Sequence, residues 1–183
     1  MTTTESERIE REVRDLVSQS GFELSEKEWQ GIILNDFGLG DFRKEGAAII
    51  DILRTDILRT TILVLLPGQT LPEHKHPVTE DSPGKEETLR ILYGSVITFE
   101  TGDENTEGLA VTIPAGKEAY YTSRRATVLR KGDQHTLPPD EFHWFQAGPE
   151  GVVTIEFQNR VDEMKNIFSD PAGTGISIPE SES

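Results

Sequence analysis

The stretch Pro67-Gly-Gln-Thr-Leu-Pro-Glu-His74-Lys-His76-Pro77 decides how this chain is read. His74 and His76 stand two apart, and on a strand, where side chains alternate with period two, both imidazoles face the same side. After a gap of ten residues comes Glu87, and after six more residues Gly94. Further on, Gly132 is followed after five residues by Pro138, and then by His143. Imidazole nitrogens and one carboxylate converging from separate strands make a closed donor set for a divalent transition metal. Glu86 competes with Glu87 for the carboxylate position. The six-residue spacing to Gly94, and the strand parity Glu87 shares with Lys85, select Glu87. Lys75, between the two histidines, is expected to face away from them. His135 lies outside the pattern and reads as structural.

The chain has 183 residues, enough for one domain with a sizeable core. With 16 glycines and 10 prolines it has the turn signals that an all-β domain needs. It contains no cysteine, which excludes disulfides, thiolate nucleophiles and thiolate-held zinc. The formal charge of -15 repels phosphate backbones and disfavours nucleic acid as a partner, as well as substrates carrying several phosphates. The longest apolar run, Ile62 to Leu66, suits a buried strand and is far too short to span a membrane. A polar, acidic N-terminus unlike a signal peptide points to the cytoplasm.

Residues 1–34 read as a helical segment packed on a sheet. Thr4 with Glu7 and Ser25 with Glu28 resemble capping boxes, Ile9, Val13 and Leu16 recur at helical spacing, and Gly21 ends the first helix. From residue 35 to 171 the pattern changes to short strands separated by Gly, Pro and Asp. These are expected at 47–53, 57–66, 71–77, 86–92, 94–100, 109–113, 126–131, 134–138, 142–147 and 151–158. Such a density of strands implies an antiparallel sandwich or barrel. A tandem pentapeptide, Asp51-Ile-Leu-Arg-Thr55 and Asp56-Ile-Leu-Arg-Thr60, would place its copies on opposite faces of one unbroken strand, so a turn is expected between them. Residues 172–183 read as a flexible acidic tail.

The spacing around His74, His76, Glu87 and Gly94, and then around Gly132, Pro138 and His143, resembles the two motifs of the cupin superfamily. Two departures stand out. The gap before Glu87 is longer than usual, and Asp140 and Ala147 replace the second motif's usual Gly and Asn. Longer strings narrow the resemblance: Gly84-Lys-Glu-Glu-Thr-Leu-Arg90, Tyr93-Gly94, His143-Trp-Phe-Gln-Ala-Gly148, Asp36-Phe-Gly-Leu-Gly40 and Ile167-Phe-Ser-Asp-Pro171. With the opening stretch they are similar to the cupin-type D-lyxose isomerases over roughly residues 30–171. The resemblance implies a mainly β fold, a double-stranded β-helix (jelly-roll) barrel with short N-terminal helices. It also implies an aldose–ketose isomerase acting on D-lyxose and often D-mannose, one divalent ion per subunit (usually Mn2+), and a homodimer.

That chemistry makes definite demands on the residues. Moving a proton between C1 and C2 of a sugar needs a stabilised enediolate, which a Lewis acid at adjacent oxygens supplies. His74, His76, Glu87 and His143 would leave two positions of a six-coordinate ion for those oxygens. The donor set also suits Fe2+, Co2+, Ni2+ or Zn2+. A base must reach the carbon-bound hydrogen. Glu156 is the candidate: strand parity leaves it either inside the barrel or fully outside, and the resemblance, which has a glutamate here, implies inside. Lys85 is the second catalytic candidate, able to carry an oxygen-bound proton if it faces the pocket rather than solvent. Trp144, Phe145 and Phe99 read as core. Rival readings are a cupin phosphosugar isomerase, a cupin dioxygenase, and a non-catalytic sugar- or metal-binding cupin.

Overall fold

The computed structural model describes residues 2–176. Helix α1 (Thr3–Ser20) starts two residues earlier than the Thr4 cap would allow. The cap is Thr2, whose hydroxyl accepts from the Glu5 amide, and Gly21 closes the helix. Helix α2 (Glu26–Gln30) begins with the expected box between Ser25 and Glu28. A five-residue helix is not stable by itself, so both helices depend on what they cover. Ile9, Val13, Leu16 and Val17 of α1 and Trp29 of α2 are buried. Burial of each aliphatic side chain contributes about 1.5–3 kcal/mol, far more than helix propensity could. Arg43, forked onto Glu12, and Arg14, stacked over Trp29, tie the helices down.

Among the described residues, nine strands form one curled antiparallel sheet. Its strands are β1 (Ile33–Asn35), β2 (Ala47–Arg54), β3 (Leu58–Leu65), β4 (Thr70–Lys75), β5 (Glu87–Glu100), β6 (Arg125–Arg130), β7 (Gln134–Leu137), β8 (His143–Asn159) and β9 (Ile167–Phe168). The order along the main path is β1-β2-β3-β8-β4-β9, and β5 pairs with β6, β7 and β8. Strand β1 pairs with β2, so the expected division between residues 34 and 35 cuts through a strand of the sheet. The cause is local: α2 ends at Gln30, and the following Ile-Ile-Leu run extends rather than coils.

The run Ile62 to Leu66 is buried on both faces. Leu63 and Leu65 join Leu71, Leu89, Ile91 and Phe145 inside the curl, while Ile62, Val64 and Leu66 meet the helices outside. The turn expected inside the tandem repeat is present, closed by Thr55 accepting from Ile57 and Leu58. Two pairs of expected strands are each a single long strand. Residues 86–92 and 94–100 fuse into β5, and 142–147 and 151–158 into β8, the two lying along one another with register shifts around Gly94. There the backbones cross so closely that a Cβ on Gly94 would sit 2.0 Å from the Gly151 carbonyl oxygen, and both glycines take positive φ.

Residues 109–113 do not form the expected strand. Leu109, Val111 and Ile113 do pack, over the stacked Phe99 and Trp144 rings, but their backbone has no neighbouring strand. Instead the Gln146 side-chain amide bonds both backbone groups of Thr112. The segment read as a flexible tail is described only to residue 176, and 177–183 lie outside the described residues. Its first part is tied to the barrel: Thr174 N–H donates to the Phe37 carbonyl, and Ile176 packs on the core.

Candidate active site

Inside the curl the side chains fall into rows set by the strand register. Arg59, Gln158 and Glu87 face one another across β3, β8 and β5. Thr61, Glu156 and Leu89 form the next row, and Leu63, Thr154 and Ile91 the one beyond. The interior therefore runs from charged at the rim to apolar at depth. On the opposing wall His74 of β4 pairs directly with His143 of β8, and His76 follows just past the end of β4.

The structure brings all six expected site residues into this interior. His74, His76, Lys85, Glu87, His143 and Glu156 are each no more than 5% exposed, whereas Glu86 is exposed. The alternation read from the sequence thus holds on both sides of Glu87. Among the described residues, His74, His76 and His143 form a cluster whose ligand atoms lie within 4.8 Å of one another. Their ring centroids are 4.5–5.3 Å apart. His76 Nε2 lies 3.5 Å from a Glu87 carboxylate oxygen, and that same oxygen is 3.3 Å from Lys85 Nζ.

Each histidine is fixed through Nδ1. His74 Nδ1 bonds the Pro72 carbonyl and His143 Nδ1 the Glu141 carbonyl, both at 2.9 Å. A carbonyl only accepts, so Nδ1 carries the proton and Nε2 keeps its lone pair. His76 Nδ1 meets the Asn166 side-chain oxygen at 2.7 Å, and Asn166 donates its own amide to Glu163, which fixes its orientation. The Nε2 atoms of His76 and His143 are buried with no hydrogen-bond partner. Burial, followed by the neighbouring imidazoles, holds His74 well below the usual histidine range and His143 down to about 4, so both are neutral. Pre-oriented imidazoles with bare Nε2 atoms beside a carboxylate are a donor set that fits a divalent ion.

The carboxyl groups divide by environment. Burial, with the nearby Glu87 charge, pushes Glu156 well above the usual carboxylate range. Thr61 donates to it at 3.1 Å. Burial works against the charge on Glu87 as well, but Lys85 and then His76 outweigh it and keep that carboxyl well below its usual range. Burial likewise opposes the charge on Lys85, yet Glu163 and Glu87 hold its ammonium above the ordinary range. Two carboxyls with opposite tendencies on one cavity are the usual signature of separated acid–base roles.

Sequence reasoning missed the other half of the cavity. Glu163, 7% exposed, lies 3.4 Å from both Lys85 Nζ and Arg59 Nη1, and Arg59 in turn bonds Asp51 at 2.7 Å. Glu163 and Asn166 belong to a one-turn 3-10 segment after β8 that separates the inner cavity from a wider outer cleft. That cleft is lined by Pro77, Asp81 to Gly84 and Arg160, so the long gap before Glu87 forms the mouth. No sequence pattern marked Glu163 and Asn166, since the Arg59, His76 and Lys85 side chains they hold lie 78 to 104 positions away.

The two residues that depart from the second cupin motif also find places. Asp140 sits at φ 61, the left-handed region that a glycine would take freely and that Asp tolerates better than most residues. Lys75, turned away from the histidines as expected, bonds its carboxylate at 2.7 Å. Ala147 is buried among core side chains, and Trp144, Phe145 and Phe99 are core as expected. His135 bonds Glu100 at 2.9 Å, away from the cavity.

No family model matches the chain. It is 39% identical over 163 residues to the D-lyxose/D-mannose isomerase of Thermosediminibacter oceani, covering 89% of this chain and 90% of that protein. It is also 39% identical over 165 residues to the D-lyxose ketol-isomerase of Cohnella laeviribosi, covering 88% and 90%. Among solved structures, the L-ribose isomerase of Acinetobacter sp. DL28 in complex with L-ribose superimposes with a TM-score of 0.77 over 97% of this chain and 98% of that one. The L-ribose isomerase of Cellulomonas parahominis does so at 0.74 over the same shares. Those two are 17% and 16% identical and speak to the fold alone. The sheet is the cupin double-stranded β-helix, and the chain belongs to the D-lyxose isomerase family of sugar isomerases.

Proposed function

We propose that the protein is a metal-dependent aldose–ketose isomerase that interconverts D-lyxose and D-xylulose, and D-mannose and D-fructose, through a cis-enediol. The observation that carries the reading is the set of three buried histidines, each bonded at Nδ1, gathered beside Glu87 on the cavity that also holds Glu156. The names of the relatives at 37–39% identity support the choice of sugars.

His74, His76, Glu87 and His143 would hold the ion, which we take to be Mn2+. When bound, it would supply Lewis-acid polarisation of adjacent oxygens of the open-chain sugar and a positive charge that offsets Glu87. Glu156 would then be the group that takes the hydrogen from one reacting carbon and returns it to the other. Thr61 donates to one oxygen of that carboxyl at 3.1 Å and so orients it on the cavity wall. Lys85, kept charged by Glu163 and Glu87, donates to a substrate oxygen and carries the proton exchanged between O1 and O2. Burial of the whole set excludes water from the enediol.

The phosphosugar rival is disfavoured by charge pairing. Arg59 and Lys85, the basic residues lining the inner cavity, are both engaged with buried carboxylates. Homodimerisation is part of the proposal. Leu53, Leu58 and Phe157 are exposed on the outer face of β2, β3 and β8, which suits a second copy of the chain.

The deciding test is to strip the protein with a chelator and assay D-lyxose with and without added Mn2+. Turnover lost on stripping and restored by Mn2+ is expected, with fructose 6-phosphate a poorer substrate than D-fructose. Full activity in the stripped protein would sink the metal-dependent reading.

A further inference from the structure

We propose that Arg59 and Gln158 form a subsite for a sugar hydroxyl remote from the reacting carbons, and that this pair sets which aldose the enzyme prefers. The proposal deepens the isomerase reading and rests on it. Both residues line the inner cavity, and each is 5% exposed. Arg59 is held rigidly by two carboxylates, with Nε on Asp51 at 2.7 Å and Nη1 on Glu163 at 3.4 Å. Its remaining nitrogen, Nη2, is buried and has no hydrogen-bond partner. The Gln158 side-chain oxygen is likewise buried and without a partner. Buried polar atoms in native proteins are nearly always satisfied, so two orphans side by side on one cavity call for a ligand.

Their chemistry specifies that ligand. Arg59 and Gln158 are directly opposed in the β3–β8 register, and yet they do not bond each other. One is a pure donor and the other, through its oxygen, an acceptor. A carboxylate or phosphate would answer Arg59 and repel Gln158; an ammonium would do the reverse. A neutral hydroxyl accepts from the first and donates to the second. The location fits a sugar as well. Glu87, Gln158 and Arg59 stand in one row on three adjacent strands, so Arg59 lies about two strand spacings, roughly 9.5 Å, from Glu87. That is within the reach of an extended five- or six-carbon sugar whose reacting end faces Glu87 and the histidines, with Glu156 in the neighbouring row.

The test uses the Mn2+-loaded enzyme and three substrates: D-lyxose, 4-deoxy-D-lyxose and 5-deoxy-D-lyxose. Wild type is compared with Gln158→Leu, which removes the acceptor at similar size, and Arg59→Lys, which removes the third nitrogen and keeps a charge. On wild type, one of the deoxy sugars is expected to show a KM about tenfold or more above that of D-lyxose, the effect of one lost hydrogen bond to a charged group. Each variant should raise the KM for D-lyxose by a similar factor, with a smaller change in kcat, and should leave that deoxy sugar no further handicapped. The discrimination ratio then collapses towards one. Variants that slow all three sugars equally, or that keep the wild-type ratio, overturn the proposal and leave only a structural role. Should Arg59→Lys not fold, the ratio in Gln158→Leu decides alone. A wild type that turns over none of the sugars overturns the isomerase reading and this subsite together, whereas normal turnover with an unchanged ratio overturns the subsite only.

Discussion

The two walls of the cavity are held in different ways. On the histidine wall, His74 and His143 are each fixed by a backbone carbonyl two residues earlier in the chain. His76, at the end of that wall, depends instead on Asn166, 90 positions away, and on the facing side Arg59 and Lys85 share Glu163, 104 and 78 positions away. The His74–His143 pair is self-contained wherever the local backbone is right. The rest exists only once the chain following β8 has folded back over the barrel, and a single short segment carries it. Local support is robust and easily read, whereas remote support is adjustable and leaves no local trace.

The most severe break falls on β8, the strand that both walls share. Glu156→Gln is expected to lower kcat by about 10²–10⁴, the usual contribution of a positioned base, while metal binding and the melting temperature stay near wild type. Near wild-type turnover in that variant would remove Glu156 from the mechanism. Next is Glu163→Ala, which leaves two buried cations with one carboxylate fewer. It should cost about 3 kcal/mol in a urea titration of the metal-free protein. A loss under 1 kcal/mol would mean that solvent reaches the network and that the far wall is less dry than its burial implies.

Asn166→Ala sharpens the contrast most directly. It removes the partner of His76 and nothing from His74 or His143, so Mn2+ affinity measured by calorimetry should fall about 10- to 100-fold with the fold intact. Unchanged affinity would show that His76 needs no orienting partner and that the two walls do not differ in this respect. The mildest test lies beyond the histidine wall. Asp140→Ala should cost about 1 kcal/mol, the usual penalty for a Cβ at positive φ without a helpful side chain, and Asp140→Gly should recover it. Equal stability of the two variants would place the strain elsewhere.

The same division explains what the sequence disclosed. Period-two alternation identified His74 with His76, and Lys85 with Glu87, because neighbouring residues on a strand settle each other's facing. Interior placement of Glu156 needed the family resemblance as well, since parity alone left two faces open. Arg59 was hidden inside the tandem pentapeptide: Arg54 and Arg59 occupy equivalent places in identical five-residue units, yet Arg59 is buried and Arg54 is not. Only the hairpin turn and the β3–β8 register distinguish them. Glu163 and Asn166 sit in a segment with no periodicity at all. The expected strand at 109–113 failed for a related reason. Its apolar alternation is real and is used for packing, but no strand lies alongside, and Gln146 supplies the bonds a ladder would have provided.

The crossing of Gly94 and Gly151 bears on how such a barrel could be adapted to another sugar. Side chains within the rows can be exchanged one at a time, each altering a single contact. At the crossing, by contrast, any side chain would force β5 and β8 apart or make them slip, and a slip of one residue would turn every row inside out at once. A library aimed at new substrates should therefore vary the rows and keep this pair fixed, as the clamp that lets all the other positions change independently.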